Sequence, residues 1–319
     1  MESAYTPSQV AEYLSYIGLP PSFQPSSNPT LNLDYLTALF THHITAIPYD
    51  NLSIHYSPAH AIPLDPQSLF SKIVSARRGR GGYCMETSIL FNHMLRALGF
   101  DAYLTGVRIR PRVDGVPQGE SYTGWVHLVN IVTVPDSEVK YAVDVGFGGD
   151  GMTVPMPLVN GLVHHNSLGT QEIRFVREFI PNQRFRGEGA HKMWVYQVRN
   201  GKDKNWVSFF AFQDQFEFFE EDFGNLNWYT SQSPESHQTW TPLAIRFLRG
   251  VGEDGRARVV GKVMMVKGVI KRNLTGKTEL VKACTTEEER VEALRELFGI
   301  HLTGEEVVSI RGRQAELVG

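Results

Sequence analysis

The run Arg80-Gly81-Gly82-Tyr83-Cys84-Met85-Glu86 joins two glycines to a cysteine, and the cysteine to a strong helical pattern. From Cys84 to Leu98, the residues Met85, Ile89, Met94, Leu95 and Leu98 give an apolar side, and Gly99 supplies a C-terminal stop. Gly81 and Gly82 end the preceding helical pattern and let the backbone turn tightly into the new helix. Cys84 therefore stands at a helix start, where unpaired backbone N–H groups and the helix dipole favour negative charge. Such a setting favours the thiolate, the nucleophilic form of the side chain. The alternative is a buried, inert cysteine, and the helix start alone does not choose between the two.

Upstream of this run, residues 8–99 read as helical. Ser8 is placed to cap a helix over Val10, Tyr13, Leu14 and Ile17 that stops at Gly18. Asp65-Pro66 is an N-cap followed by proline at the first helical position, leading through Leu69, Phe70 and Ile73. Downstream, the apolar period changes to two. Strands are predicted over 102–110, 125–134 and 140–147, then over 173–179, 193–198, 206–212, 244–248, 257–266 and 269–273. Thr286 and Glu289 form a capping box ahead of a closing helix through Val291, Leu294 and Leu297. Helices, then strands, then a mixture indicate an α+β fold rather than a doubly wound parallel sheet. Three regions follow, 1–100, 101–204 and 205–319.

Composition narrows the function. The chain has 319 residues, 42 % apolar and 20 % charged, with a net charge of -3, which suits a globular enzyme and not a nucleic-acid binder. No apolar run approaches the ~18 residues needed to span a bilayer. Met1-Glu2-Ser3-Ala4-Tyr5 lacks the basic start and apolar core of a secretory signal. Two cysteines, Cys84 and Cys284, cannot build a disulfide framework, so a reducing, cytoplasmic location is expected. His42-His43 and His164-His165 are adjacent pairs whose side chains diverge, so no metal site is expected. The aromatic run from Trp206 to Tyr229, with Phe209, Phe210, Phe212, Phe216, Phe218, Phe219 and Phe223, reads as core packing.

A nucleophilic cysteine needs a base. His127 lies in Thr123-Gly124-Trp125-Val126-His127-Leu128-Val129, and Asp144 in Tyr141-Ala142-Val143-Asp144-Val145-Gly146-Phe147, each alone among mostly apolar neighbours. Burying a lone aspartate charge is costly, which suggests a partner. The two strands are joined by Pro135-Asp136-Ser137-Glu138, an even loop. If Val134 pairs with Val139, then Val129 faces Asp144, His127 faces Gly146, and His127 and Asp144 project from the same face. Such diagonal neighbours are ~7 Å apart at the backbone, within reach of longer side chains. An odd loop would put them on opposite faces. The geometry permits a His127–Asp144 pair, with Asp144 orienting the imidazole and Cys84 arriving from the helix.

The run from Arg80 to Glu86 resembles the active-cysteine motif of the arylamine N-acetyltransferases. Ile47-Pro48-Tyr49-Asp50-Asn51-Leu52 is similar to their Ile-Pro-Phe-Glu-Asn-Leu segment, and Asp144-Val145-Gly146-Phe147-Gly148 to their Asp-(Ala/Val)-Gly-Phe-Gly motif. The run from Asn227 to Ser236 resembles their Asn-x-Tyr-x-Ser-x-x-Pro-x-Ser stretch. The resemblance implies a helical first domain, a β-barrel second domain and an α/β lid. It places Cys84, His127 and Asp144 on the family's triad, and Arg80 with Asp50 on a structural ion pair near the site. It places Tyr49 and Phe147 in the acceptor pocket. Thr123, Gly124, Gly146, Gly148, Gly149 and Tyr229 then fall in or near the coenzyme A and thioester region. The implied co-substrate is acetyl-coenzyme A or another acyl-coenzyme A, with no tightly bound cofactor, and the implied acceptor is a small aromatic amine. Lys262, Lys267, Lys271, Arg272 and Lys277 could meet coenzyme A phosphates, although they read first as a solvated strand face.

The chain departs from the family pattern at Ser88, where Asn is usual, at Tyr49 for Phe, at Asp50 for Glu, and at Gln238 for a pocket-lining Phe. Acceptor preference is therefore not carried over. The same cysteine, histidine and aspartate order also suits a papain-like hydrolase or transglutaminase, or a binding protein with a vestigial triad. Acetyl, propionyl and malonyl donors all suit the triad. A malonyl carboxylate would need a cation or polar donor near the loop from Gly146 to Gly151, and the sequence alone places none there.

Overall fold

A computed structural model of the chain describes residues 2–319 except Asp114, Asp136, Ser167 and Leu168. Its first part holds α1 (Pro7–Tyr16), α2 (Leu33–Ala46), β1 (Tyr49–Asp50), α3 (Leu52–Tyr56), α4 (Pro66–Phe70) and α5 (Cys84–Ala97). Thr6, not Ser8, caps α1. Its hydroxyl accepts from the Gln9 N–H, Gln9 returns the bond, and Pro7 takes the first helical position, where its missing N–H is harmless. Asp65 caps α4 as expected, accepting from the Ser68 N–H at 2.9 Å. β1 interrupts the helical reading of this part. Two residues carry no legible period, and β1 exists because Tyr49 and Asp50 pair with Ile245 and Ala244 late in the chain.

β2 (Asp101–Ile109), β3 (Arg112–Val113), β4 (Val116–Pro117), β5 (Trp125–Thr133), β6 (Lys140–Val143), β7 (Met156–Pro157) and β8 (Val163–His165) follow. They continue into β9 (Gln171–Glu178), β10 (Met193–Asn200) and β11 (Val207–Phe212). All except the β3–β4 ribbon join an 8-stranded antiparallel sheet in the order β7-β6-β5-β2-β11-β10-β9-β8. Buried Asn166, next to β8, bonds the Thr153 N–H and the Gly151 carbonyl in the segment leading to β7, so the sheet nearly closes into a barrel. Aromatic rings fill it, with Tyr196 stacked on Phe210 at 4.6 Å and Phe175 edge-on to Phe212. β11 belongs to this sheet although it lies beyond residue 204.

The last part holds α6 (Glu220–Gln232), β12 (Leu243–Val251), β13 (Ala257–Val266), β14 (Val269–Leu274), β15 (Lys277–Ala283), α7 (Glu287–Ala293) and α8 (Gly304–Ser309). β1 and β12 to β15 form a second antiparallel sheet, which packs through Ala244, Met265 and Ile270 on Leu52, Tyr56, Leu294 and Phe298. The whole is α+β: a helical first part, a barrel-like sheet and an α/β third part. The Thr286–Glu289 capping box forms as the sequence indicates.

Two readings of this region are corrected. Phe209, Phe210, Phe212 and Phe223 are core, but Phe216 and Phe219 are exposed, because the aromatic run crosses a strand, a loop and a helix and has no single face. Lys262 is buried rather than on a solvated face, while Lys267, Lys271, Arg272 and Lys277 are exposed. Among the described residues, no helix is long and apolar enough to cross a membrane. His43 bonds the Tyr13 hydroxyl at 2.8 Å and His42 the Ile17 carbonyl at 3.3 Å, structural partners for both rings.

Candidate active site

β5 and β6 pair in the register that the four-residue loop predicts, with Asn130 opposite Val143 and Thr133 opposite Lys140. Asp136 of that loop lies outside the described residues. β6 ends at Val143, sooner than expected, because Asp144 Oδ1 accepts from the Gly146 N–H at 2.9 Å and turns the chain out of the ladder. The other carboxylate oxygen, Oδ2, lies 2.7 Å from His127 Nε2. Both side chains are buried.

Gly146 explains how this strand end meets α5. A Cβ at Gly146 would stand 2.6 Å from Cys84 Cα and 3.0 Å from the Cys84 carbonyl oxygen, so only glycine lets the loop lie against the first turn of the helix. Cys84 Sγ lies 3.9 Å from the Val126 carbonyl, next to His127 in the chain, and acts on the His127 ring, whose Nε2 faces Asp144. Burial alone would push the His127 pKa down. The charge and hydrogen bond of Asp144, together with those of Cys84, outweigh burial and raise it to about 10. A protonated imidazole held between a carboxylate and a sulfur is the arrangement that stabilises a thiolate nucleophile.

The segment leading to Cys84 is held from three sides. Gly79 supplies the left-handed residue, at φ +67°, and a Cβ there would overlap the Gly299 carbonyl. Gly81 and Gly82 serve close approach instead of a tight turn: a Cβ on Gly81 would overlap the Pro48 carbonyl, and one on Gly82 would meet Glu86. Buried Arg80 places Nη2 3.2 Å from Asp50 Oδ1 and Nη1 2.9 Å from Glu306 Oε1. Asp50 Oδ2 accepts from the Gly81 N–H at 2.8 Å. Burial would raise the Asp50 pKa, but Arg80, Lys72 and the Gly81 N–H outweigh it and hold the carboxyl below its ordinary value. Glu86 caps the helix by accepting from the Tyr83 N–H at 3.1 Å, and Lys72 neutralises it at 2.7 Å.

Phe147 packs edge-on against the His127 ring, with centroids 5.4 Å apart. Tyr49 is half-buried, and burial, then proximity to Cys84, raises its hydroxyl pKa. The Tyr49 hydroxyl accepts from Gln238 Nε2 at 2.8 Å, and Gln238 Oε1 accepts from Asn51 Nδ2 at 2.7 Å. Two departures from the family pattern are thus hydrogen-bonded to one another. A third departure, Ser88, leaves its buried hydroxyl without a hydrogen-bond partner among the described residues. Gly148 is left-handed at φ +88°, and Gly149 lies against Lys262.

Thr123, Gly124 and Tyr229 are outside this buried group. Thr123 Oγ1 accepts from the Ile109 N–H at 3.1 Å, Gly124 is exposed with open space around it, and Tyr229 is exposed on α6. Beside Gly124, a cavity of about 370 Å³ opens between Arg108, Trp125, Phe216 and Phe218.

Several residues of the site escape a reading of the sequence. Asn227 accepts from the Tyr83 hydroxyl and ties α6 to the start of α5; its place in the Asn227–Ser236 motif was the available signal. Asn130 accepts from Asn92 Nδ2 at 3.0 Å and so pins α5 to β5. Glu306, Arg112 and Asp150 carry no local motif and reach the site only through the fold, and Lys262, named from the sequence only for coenzyme A phosphates, joins them there.

A family model described as N-acetyltransferase matches residues 32–307. The chain belongs to the arylamine N-acetyltransferase family. N-malonyltransferase FDB2 of Gibberella moniliformis is 31% identical over 326 residues, covering 96% of this chain and 92% of that protein. Arylamine N-acetyltransferase 1 of Homo sapiens is 28% identical, covering 92% of this chain and 94% of that protein. The crystal structure of the Nocardia farcinica arylamine N-acetyltransferase superposes with a TM-score of 0.76 at 26% identity, covering 96% of this chain and 94% of that one. The chain is therefore an acyltransferase of this family, and the helices, barrel-like sheet and α/β third part are the family's fold.

Proposed function

We propose that the chain moves a short acyl group from an acyl-coenzyme A to the nitrogen of an aromatic amine, through an acyl-cysteine on Cys84. The observation that carries this reading is the buried His127–Asp144 pair, 2.7 Å apart, on a loop whose Gly146 packs against Cys84 at the start of α5. The Cys84 thiolate attacks the donor's carbonyl carbon, a carbon–Sγ bond forms, and the bond to the coenzyme A sulfur breaks. Imidazolium His127 gives its proton to that departing sulfur. The amine nitrogen then attacks the acyl-cysteine, the carbon–Sγ bond breaks, and His127 takes the proton the nitrogen releases. The first half-reaction exchanges one thioester for another, so the acyl-enzyme stores nearly the free energy of the donor, and the second converts that thioester into an amide. Asp144 keeps its charge throughout and orients the ring.

Burial supports transfer over hydrolysis, since Cys84 is only 5% exposed and His127 only 1%. Phe147 and Tyr49 line the acceptor side, where an aromatic ring is held by apolar and edge-to-face contacts. Thr123, Gly124, Gly148, Gly149 and Tyr229 are proposed to meet the coenzyme A arm, and the cavity beside Trp125 gives it room. FDB2 is named for malonyl transfer and the human relative for acetyl transfer, and both donors fall within this reading. Intact mass after incubation with acetyl-coenzyme A or malonyl-coenzyme A tests it. One acyl group should appear on wild-type protein and none on Cys84→Ala, and an aromatic amine should discharge it. A wild-type mass unchanged by either donor would return the chain to a binding role.

A further inference from the structure

Beyond the triad, two cations and one carboxylate meet beside Phe147. Arg112 Nη1 lies 3.1 Å from Asp150 Oδ2, and Lys262 Nζ lies 3.8 Å from Asp150 Oδ1 while also donating to the Gly149 carbonyl. Lys262 is buried on β13, with its side chain 7% exposed, and Arg112 is partly buried at 24%. One carboxylate cannot neutralise two cations. Burial lowers the Lys262 pKa, and the neighbouring Arg112 adds to the effect against Asp150. Two basic side chains thus share one carboxylate in a partly buried cluster.

The position of that charge identifies its use. Arg112 Cζ stands 4.9 Å over the Phe147 ring, and the Phe147 ring meets the His127 ring at 5.4 Å. One aromatic ring thus separates the guanidinium from the imidazole that serves Cys84. Arg112 also acts electrostatically on Tyr49 and His237, and Cys84 acts on Tyr49. Asp150 accepts from only Nη1 among the described residues, which leaves other donors of the guanidinium fork available.

We infer that Arg112, backed by Lys262, is a receptor for a carboxylate on the donor's acyl group, so that Cys84 is loaded preferentially from malonyl-coenzyme A. The inference rests on the acyl-cysteine reading above and deepens it. In a malonyl thioester the carboxyl carbon stands about 4 Å from the thioester sulfur, and a charge-assisted hydrogen bond adds about 3 Å. Arg112 lies across the Phe147 ring from the imidazole, where a carboxylate extending beyond the acyl carbon would meet it. An acetyl group ends before it and gains nothing there. Coenzyme A phosphates are the other anions in the reaction, but the pantetheine arm keeps them far from the thioester, whereas Arg112 sits against a ring that touches His127.

The test reads a ratio: the rate of Cys84 acylation per unit donor concentration for malonyl-coenzyme A, divided by that for acetyl-coenzyme A. The wild-type ratio should exceed one. Arg112→Gln should lower it at least tenfold, and Arg112→Lys should restore part of the loss by returning the charge without the fork. Asp150→Asn should raise the ratio, because it removes the competing carboxylate and keeps the shape. A wild-type ratio below one overturns the inference. So does an equal loss of both donors in Arg112→Gln, which marks a phosphate contact or a loop brace. A fall of the ratio in Asp150→Asn overturns it as well. Absence of any acylated wild-type protein with both donors would instead remove the acyl-cysteine reading itself, and this inference with it.

Discussion

Glu306 in α8 accepts a hydrogen bond from Arg80 Nη1 at 2.9 Å, so the end of the chain braces the segment that delivers Cys84. Arg80 spends its other terminal nitrogen on Asp50, and Arg78 bonds Glu306 as well. The third part of the molecule is therefore tied to the site and not a detached lid.

Removing a partner from a buried pair leaves the other charge uncompensated, which typically costs ~3–5 kcal/mol. Asp50→Ala should lose stability of that order, because Arg80 is buried and Asp50 fully so. Glu306→Ala should lose less, since its side chain is 12% exposed and Asp50 still faces Arg80. Both should slow alkylation of Cys84 by loosening the glycine segment. Denaturant melts and iodoacetamide labelling rates measure the two effects, and wild-type behaviour of Asp50→Ala would rule out the brace.

Gly146→Ala isolates the contact between the Asp144 loop and α5. The added methyl would meet backbone atoms of Cys84, which cannot rotate away. Overpacking of this kind costs ~1–3 kcal/mol and should push Asp144 and His127 off the sulfur. Acylation should fall far more than the melting temperature. Equal activity in Gly146→Ala would show that the loop has slack that the packing denies.

The His127 shift makes a pH prediction of definite sign. Its folded pKa, raised to about 10, lies above the unfolded value of about 6.5. The stabilisation from the charged ring is present in full below about 6.5 and fades as pH rises through about 10. The stability gap between wild type and His127→Gln should therefore narrow on going from pH 6 to above 10. Asp144→Asn should narrow it already at neutral pH. In a comparable serine triad the matching change costs ~10⁴-fold, so acylation should drop by orders of magnitude, and the double variant should lose little more. A folded Asp144→Asn protein with most of its acylation rate would remove Asp144 from the mechanism.

Much of this was legible because the signals are local. The even loop after Val134 sets the register of His127 and Asp144, and Asp65-Pro66 and Thr286 with Glu289 mark helix starts by side-chain chemistry alone. What escaped depends on distant partners or lacks a period. β1 is held by distant partners, β12 and the Gly82 carbonyl. β15 is an edge strand exposed at almost every position, with no apolar alternation to read. α6 begins inside an aromatic run that looks uniform. Arg112 and Lys262 lie far apart in sequence, and only the approach of β3 and β13 to Asp150 brings them together.

Tyr49 and Gln238 show the same limit at the proposed acceptor side, and their coupling can be measured. Each departs from the family's phenylalanine, and separately each would put an unmatched polar group beside an aromatic pocket. Together they satisfy one another through the 2.8 Å bond from Gln238 Nε2 to the Tyr49 hydroxyl, with Asn51 fixing the amide from behind. Gln238→Phe alone should strand the Tyr49 hydroxyl, and Tyr49→Phe alone should leave the Gln238 amide nitrogen only its 3.3 Å contact with His237 Nε2. The double variant should recover part of the loss, because neither orphan remains. Denaturant midpoints of the four proteins should give a coupling of ~0.5–1.5 kcal/mol. The double variant should also raise the KM for amines with a polar ring substituent relative to unsubstituted aniline, since the pocket loses both polar groups. Additivity of the two single changes within ~0.3 kcal/mol would mean that the pair is adjacent without being coupled.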